Sequence, residues 1–295
     1  VHAPDEAEIG LVLDGRGRLP DPTAVMERRH GENFPVALRL LPSASRGHLL
    51  AVYGFARLVD DAGDDAPGDR PALLDALDRG LDRLFAGRDP GHPLLRRLVP
   101  SVEACALPEE PFRRLVEANR RDQRVVRYEC YEELLEYCAY SAAPVGRLVL
   151  HVFDAATPDR CDQSDAICSA LQLVEHWHDV AEDFARGRIY LPLEDLRLFG
   201  CRESDLGATT AAPALRRCLA FEVARTRTLL VSGTALVGSL AGASRLAVAG
   251  FAAGGHAALD AVEARGFDVL GAAPRTRRTR WLRHWLALLL RERGT

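Results

Sequence analysis

Two aspartate clusters, Asp60-Asp61-Ala62-Gly63-Asp64-Asp65 and Asp179-Val180-Ala181-Glu182-Asp183, place the tightest constraint on how this chain folds. Each sets carboxylates at i and i+4, Asp60 with Asp64 and Asp179 with Asp183, so a helix stacks each pair on one face about a turn apart. Like charges in that register repel by roughly a few tenths of a kcal/mol. The segments before them, Ala51 to Val59 and Ala166 to Val174, are largely apolar. Helices apolar over much of their circumference suit a cavity wall, where charge is not held without a partner. A cation between the carboxylates satisfies both facts, whereas a solvated acidic face does not account for the flanks. Hard oxygen donors favour Mg²⁺, which takes one or two carboxylates and completes its shell with water and phosphate.

The basic residues fit the same site. Arg186, Arg188 and Tyr190 follow Asp183 directly, where Gly187 and Pro192 mark a helix end. Guanidinium groups fork onto phosphate oxygens, so the expected ligand is a diphosphate. Arg57, a turn before Asp60 and Asp61, could do the same or close an i,i+4 salt bridge to Asp61. Tyr137 and Tyr140, three apart on one face, could stabilise a cation or move a proton, or sit as satisfied core tyrosines. In the turn before Asp179, Glu175 or His178 could accept a proton or bond a neighbouring carboxylate. A zinc site on His176 and His178 is disfavoured, because residues two apart on a helix point to different faces.

Helical periods run through Pro42–Asp65 and near 71–86, 93–104, 109–123, 131–153, 162–186, 212–238, 243–264 and 275–292, and strand alternation is scarce. The first 20 residues read as an irregular leader; a helix starts at Asp21-Pro22, where Asp caps and Pro fits the first turn. No repeat or linker divides 21–295, and 47% hydrophobic residues can fill one large core. The expected class is all-α, as a single domain. A net charge of −4 gives no electrostatic case for nucleic acid. All basic side chains other than histidine are arginine. The seven cysteines form no CxxC pair and favour a reducing compartment, and neither a signal peptide nor a membrane-spanning run is evident, so a cytoplasmic location is expected.

Together these segments carry a resemblance. Tyr53 to Arg57 with Asp60 to Asp64, then Tyr137 to Arg147, then Gln172 to Asp183 and Gly187-Arg188-Ile189-Tyr190-Leu191-Pro192 resemble the squalene/phytoene synthase family over about residues 30 to 275. Glu32 to Ala37 and Ala118 to Gln123 resemble its bacterial hopanoid-pathway, hydroxysqualene-forming branch. The resemblance implies an isoprenoid-synthase helical fold around a central cavity. It implies Mg²⁺ on Asp60, Asp61, Asp64, Asp179 and Asp183, diphosphate on Arg57, Arg147, Arg186, Arg188 and Tyr190, and Tyr137 in the cavity. The chain departs from the family's pattern at Glu175, Ala143 and His178, where relatives commonly carry Asn, Asn and Gln.

The implied chemistry is ionisation of a prenyl diphosphate, with Mg²⁺ and arginine stabilising the leaving group and an apolar cavity shielding the cation from water. Tyr53, Phe55, Val145, Leu148, Leu171, Val174 and Phe251 are candidate walls, ordinary core packing being the alternative for each. The first expectation is conversion of presqualene diphosphate to hydroxysqualene, or farnesyl diphosphate condensation. The second is transfer of a short prenyl group, dimethylallyl or geranyl, to an indole- or carbazole-type acceptor, and a more remote one is a non-catalytic isoprenoid-binding scaffold. No NADPH fingerprint is found: Gly250 to Gly255 follows a helical pattern and reads as a close-packing stretch. The C-terminal segment from Arg275 either docks on the core or rests on an anionic membrane surface with Trp281 and Trp285 at the interface.

Overall fold

A computed structural model describes residues 12–13, 17–27, 41–271 and 276–290. The motif Glu32 to Ala37 lies outside them. By internal contacts the chain forms two compact units, residues 1–124 with 147–156, and 125–146 with 157–295.

The first unit opens with a two-residue antiparallel ladder, β1 (Val12–Leu13) on β2 (Gly17–Arg18), within the leader expected to be irregular. Helix α1 (Pro22–Glu27) follows, and Asp21 Oδ1 accepts from the backbone N–H of Thr23 and Ala24 at 2.9 and 3.1 Å, the cap expected there. Helix α2 (Ser43–Asp64) buries Leu49, Val52, Phe55, Leu58 and Val59. It packs on α3 (Arg70–Phe85), α4 (Pro93–Cys105) and α5 (Glu109–Asp122). Asp69 caps α3 through Ala72 N, and α5 carries Glu109 and Glu110 in its first turn and Arg120 and Arg121 in its last, matching its dipole.

The second unit carries α6 (Tyr131–Ser141), after which the helix expected over 131–153 divides. Pro144 is the physical reason: without an N–H, and clashing with the carbonyl a turn back, it starts a new helix, α7 (Ala143–Val152). Helix α8 (Pro158–His178) begins at a Thr157 cap and ends sooner than expected, because Asp179 sits at φ −103°, ψ 13°, outside helical values. Helix α9 (Val180–Ala185) resumes beyond it. The short α10 (Leu193–Phe199) and a 3₁₀ turn at Glu203–Gly207 come next, then α11 (Pro213–Gly233), α12 (Ala235–Ser239), α13 (Gly242–Ala264) and α14 (Arg278–Leu290).

Helix α11 lies along α8, and α13 packs on both. Close approach is built on glycine: a Cβ at Gly255 would fall 2.7 Å from Leu171 and 3.0 Å from Leu230. The Gly250 to Gly255 stretch is therefore a helix-packing seam, as its helical pattern suggested. A buried ion cluster joins three elements of this unit. Arg225 donates to Glu222 and to Asp195, at 2.6 Å each through Nη2, and its guanidinium lies 3.6 Å above the Tyr131 ring. Glu222 is fully buried, and burial pushes its carboxyl up to about 8 against the pull of Arg225. All seven cysteines are free thiols.

Candidate active site

In the first unit the last two turns of α2 present the first carboxylate cluster. Asp61 is buried and accepts from Arg57 Nε at 2.9 Å, so the intrahelical salt bridge is the one formed. Arg57, expected on a diphosphate, also makes this bond within its own helix. Asp60 is exposed on one side and accepts from Asn119 Nδ2 of α5 at 3.1 Å. Protein crowding its other sides removes hydration and pushes its carboxyl up to about 7; Asn119 and Arg57 pull it down, while Asp64 and Asp61 push it further up. Gln123 Nε2 donates to Gly63 O at 3.0 Å, one turn further along α5. Asn119 and Gln123 were legible only as a motif, not as amides that hold the Asp60 carboxylate and the Gly63 carbonyl respectively. Gly63 is fixed by the same contact, since a Cβ there would fall 2.2 Å from Asn119 Oδ1.

In the second unit the backbone ladder survives the break at Asp179. Asp179 N donates to Glu175 O at 2.9 Å and Asp183 N to Asp179 O at 2.8 Å, so Asp179 and Asp183 remain a turn apart. Both carboxyls are pushed up, Asp183 to about 7, by burial first; Asp179 repels Asp183 and Glu182 repels Asp179, while Arg188 and Arg186 pull Asp183 down. Arg186 is exposed and paired with Glu182 at 2.8 Å. Gly187 follows at φ +83°, a left-handed value that favours glycine, and turns the chain back.

The returning run is extended and pinned along residues 126–129. Ile189 N donates to Val126 O at 2.9 Å, Leu193 N to Tyr128 O at 3.0 Å, and Arg127 Nη1 to Gly187 O at 2.7 Å. A small, half-open cleft of about 10 Å³ results, lined by His176, Val180, Asp183, Arg188, Tyr190 and Leu206, with Ile189 and Leu191. The Tyr190 ring stacks on His176 with centroids 3.7 Å apart and planes at 12°, and Tyr137 and Tyr128 lie 5.9 and 5.8 Å from Tyr190. Burial, then Arg188, pushes His176 down to about 3, so it is neutral at physiological pH.

His176 is the histidine of the cleft; His178, the expected one, faces elsewhere. Its Nε2 donates to Ala258 O of α13 at 3.2 Å, which makes it a packing group. Residues two apart on α8 diverge, as helix geometry requires. Other expected residues take more ordinary places. Phe55 has no exposed surface and meets Phe112 edge-on at 5.1 Å, and Leu148 and Val174 are fully buried; these are core residues. Leu171 packs at the Gly255 seam. Tyr53, Tyr140, Val145, Arg147, Glu175 and Phe251 are half-buried.

The donor sets fit Mg²⁺. Among the described residues no three carboxylate, imidazole or thiol groups converge as a preformed cage. Mg²⁺ does not need one, since water and substrate phosphate complete its shell. The raised carboxyls of Asp60 and Asp183 mark places where a cation would relieve repulsion and lost hydration.

The squalene/phytoene synthase family model matches residues 27–285. A hydroxysqualene synthase of Rhodopseudomonas palustris is 35% identical over 224 residues, covering 74% of this chain and 76% of that one. A phytoene synthase of Thermus thermophilus is 32% identical over 254 residues, covering 85% and 86%. The crystal structure of squalene synthase HpnC from Alicyclobacillus acidocaldarius has 43% identity and a TM-score of 0.75, covering 83% of this chain and 94% of that one. A dehydrosqualene synthase in complex with ligand, at 22% identity and a TM-score of 0.79, shares the fold. The chain belongs to the squalene/phytoene synthase family.

Proposed function

We propose that this chain is a Mg²⁺-dependent, prenyl diphosphate-ionising enzyme of squalene-type biosynthesis that converts presqualene diphosphate to hydroxysqualene. The observation that carries the reading is the cleft in which Asp183, a cation-ligating carboxylate, and Arg188, an anion-binding guanidinium, meet the rings of His176 and Tyr190. The similarity to hydroxysqualene synthases supports the choice of reaction.

Asp60, Asp61 and Asp64 would hold Mg²⁺ in the first unit, and Asp179 and Asp183 would do so in the second. When bound, the metal supplies a positive charge that stabilises the departing diphosphate. Arg188 adds a cation able to fork onto phosphate oxygens, Arg186 is a further candidate in the same unit, and Arg147 is a candidate anion ligand in the first unit. Tyr190, one face of which is covered by His176, and Tyr137 behind it are the rings whose quadrupoles would attract a carbocation. His176 stays neutral and so does not repel that charge. Water then captures the cation at carbon and loses a proton, for which the released diphosphate is a sufficient acceptor.

The test is incubation of the purified protein with Mg²⁺ and, separately, presqualene diphosphate, farnesyl diphosphate, or dimethylallyl and geranyl diphosphate with indole and carbazole acceptors, with products followed by mass spectrometry. Hydroxysqualene from presqualene diphosphate is the expected product. A prenylated aromatic with no turnover of presqualene diphosphate would replace this reading with aromatic prenyl transfer. Diphosphate release unchanged in Asp60→Ala and Asp179→Ala would remove the metal sites from the chemistry, and no release with any substrate would point to a binding scaffold.

A further inference from the structure

The last helix, Arg278–Leu290, has two apolar faces, and only one is covered. On the inner face Trp281 Nε1 donates to Gly250 O at 3.0 Å and Trp285 Nε1 to Leu246 O at 3.1 Å, while Leu288 is buried. His284 and Arg283 meet Asp260 at 2.8 and 3.0 Å, and Arg245 donates to Leu289 O at 2.8 Å. These contacts dock the helix on Gly242–Ala264. Both indoles are therefore turned inward, opposite to the membrane-facing placement considered for them from sequence.

On the outer face Leu282, Leu286 and Leu290 stand at i, i+4 and i+8, with 46%, 46% and 80% of their surfaces exposed. A docked surface helix ordinarily carries charge there. Single exposed leucines need no explanation, whereas a row along one helix face marks a contact surface. The charge of the segment selects the partner. Between Thr276 and Leu290 stand Arg277, Arg278, Arg280 and Arg283 with no carboxylate, in a chain whose net charge is −4; Arg280 and Arg283 reach Asp260 at 2.6 and 3.0 Å, so the outward charge rests chiefly on Arg277 and Arg278. Arg277 and Arg278 are exposed, and the Arg283 side chain is 68% exposed despite its contact with Asp260. A two-fold contact between copies would set this arginine-rich patch against itself, which disfavours self-association. An anionic lipid surface matches both parts, with acyl boundary for the leucines and phosphate for the arginines.

We propose that the outer face of Arg278–Leu290 is a peripheral contact for an anionic phospholipid bilayer, with Leu282, Leu286 and Leu290 entering the headgroup boundary and Arg277 and Arg278 at the phosphate level. No helix among the described residues is long and apolar enough to cross a membrane, so the contact is interfacial. The inference does not depend on the reaction proposed above.

The experiment is flotation of the full chain with phosphatidylcholine vesicles and with vesicles containing phosphatidylglycerol, at low and high salt, alongside its oligomeric state in solution. The expected result is a monomer that floats with anionic vesicles at low salt. Each arginine near the surface adds roughly fivefold to partition, and Leu286→Glu lowers it by about tenfold or more. Leu290→Ser, at the most exposed position, gives a smaller loss and guards against a folding defect in the first variant. Absence of flotation on either vesicle, or equal flotation of wild type and both variants, would overturn the proposal. So would a dimer that Leu286→Glu dissociates, which would assign the face to a second copy.

Discussion

Gly63→Ala tests whether Asn119 orients the first carboxylate cluster. The added Cβ would lie 2.2 Å from Asn119 Oδ1, 3.0 Å from its Cγ and 3.1 Å from its Cβ, so a rotation of the amide alone does not clear it. Three effects compete. Replacing glycine inside a helix gains about 1 kcal/mol. Overpacking costs about 1–3 kcal/mol. Losing the Asn119 to Asp60 hydrogen bond costs about 1 kcal/mol more. The net loss of stability is about 1–3 kcal/mol, readable by urea denaturation. The functional effect is more specific. Without the amide, Asp60 loses the strongest group pulling its carboxyl down and rises above its value of about 7. The Mg²⁺ concentration for half-maximal diphosphate release at neutral pH should then rise, about tenfold for each 1.4 kcal/mol of weakened metal binding. Asn119→Ala added to Gly63→Ala makes room for the methyl group, so stability should return while the Mg²⁺ requirement stays high. An unchanged Mg²⁺ requirement in both variants would refute the idea that Asn119 orients Asp60.

Further tests address separate parts of the structure. Asp60 and Asp183 hold protons up to about pH 7 in the folded chain, whereas unfolded carboxylates release them near pH 4. Their share of metal-free stability should therefore fall as pH rises across that window, while the depressed His176 works the other way below about pH 6.5. Asp60→Asn with Asp183→Asn should raise Tm in EDTA more at pH 8 than at pH 5, Mg²⁺ with diphosphate should likewise stabilise the wild type more at pH 8, and an equal gain from the two substitutions at both pH values would contradict this. Arg225→Met leaves Glu222 and Asp195 without their cation and should cost about 3–5 kcal/mol in chemical denaturation, with Glu222→Gln recovering part of it. His176→Phe keeps a ring on Tyr190 and should change stability by less than about 1.5 kcal/mol, whereas His176→Ala should lower both Tm and turnover; equal behaviour of the two would deny the stack a role. His178→Gln should leave product identity unchanged in mass spectrometry, because His178 bonds Ala258 O away from the cleft.

What could be read in advance was whatever local periodicity carries. Helix positions followed from apolar spacing and from the cap at Asp21, and the carboxylate pairs from simple i,i+4 geometry, whereas the Thr157 cap that starts α8 was not read. What could not be read depends on chain segments that meet only after folding. The stack of His176 on Tyr190 requires the run after Gly187 to return along residues 126–129, and nothing in the local pattern fixes that path. The same limit exchanged His178 for His176, since the two differ only in which neighbouring element each faces. Phe55 lies on the apolar face of α2, but that face meets Phe112 of α5, a choice that periodicity does not make. Helix α10 is too short for a 3.6-residue repeat to stand out.

The pinning of residues 187–193 has a consequence for how this cleft can vary. The bonds from Ile189 N to Val126 O and from Leu193 N to Tyr128 O join peptide groups, so they place Arg188 and Tyr190 without consulting the side chain at Val126. That side chain is 43% exposed and is free to drift in sequence without moving the cleft. The segment is intolerant of a different kind of change. A proline at 189 or 193 deletes a donor, and a one-residue insertion between Gly187 and Tyr190 turns alternate side chains to the other side. Variation in such a cleft is thus channelled into exchanging side chains at fixed addresses, which leaves the anion-binding frame intact while the surface offered to the hydrocarbon part of a substrate is rewritten.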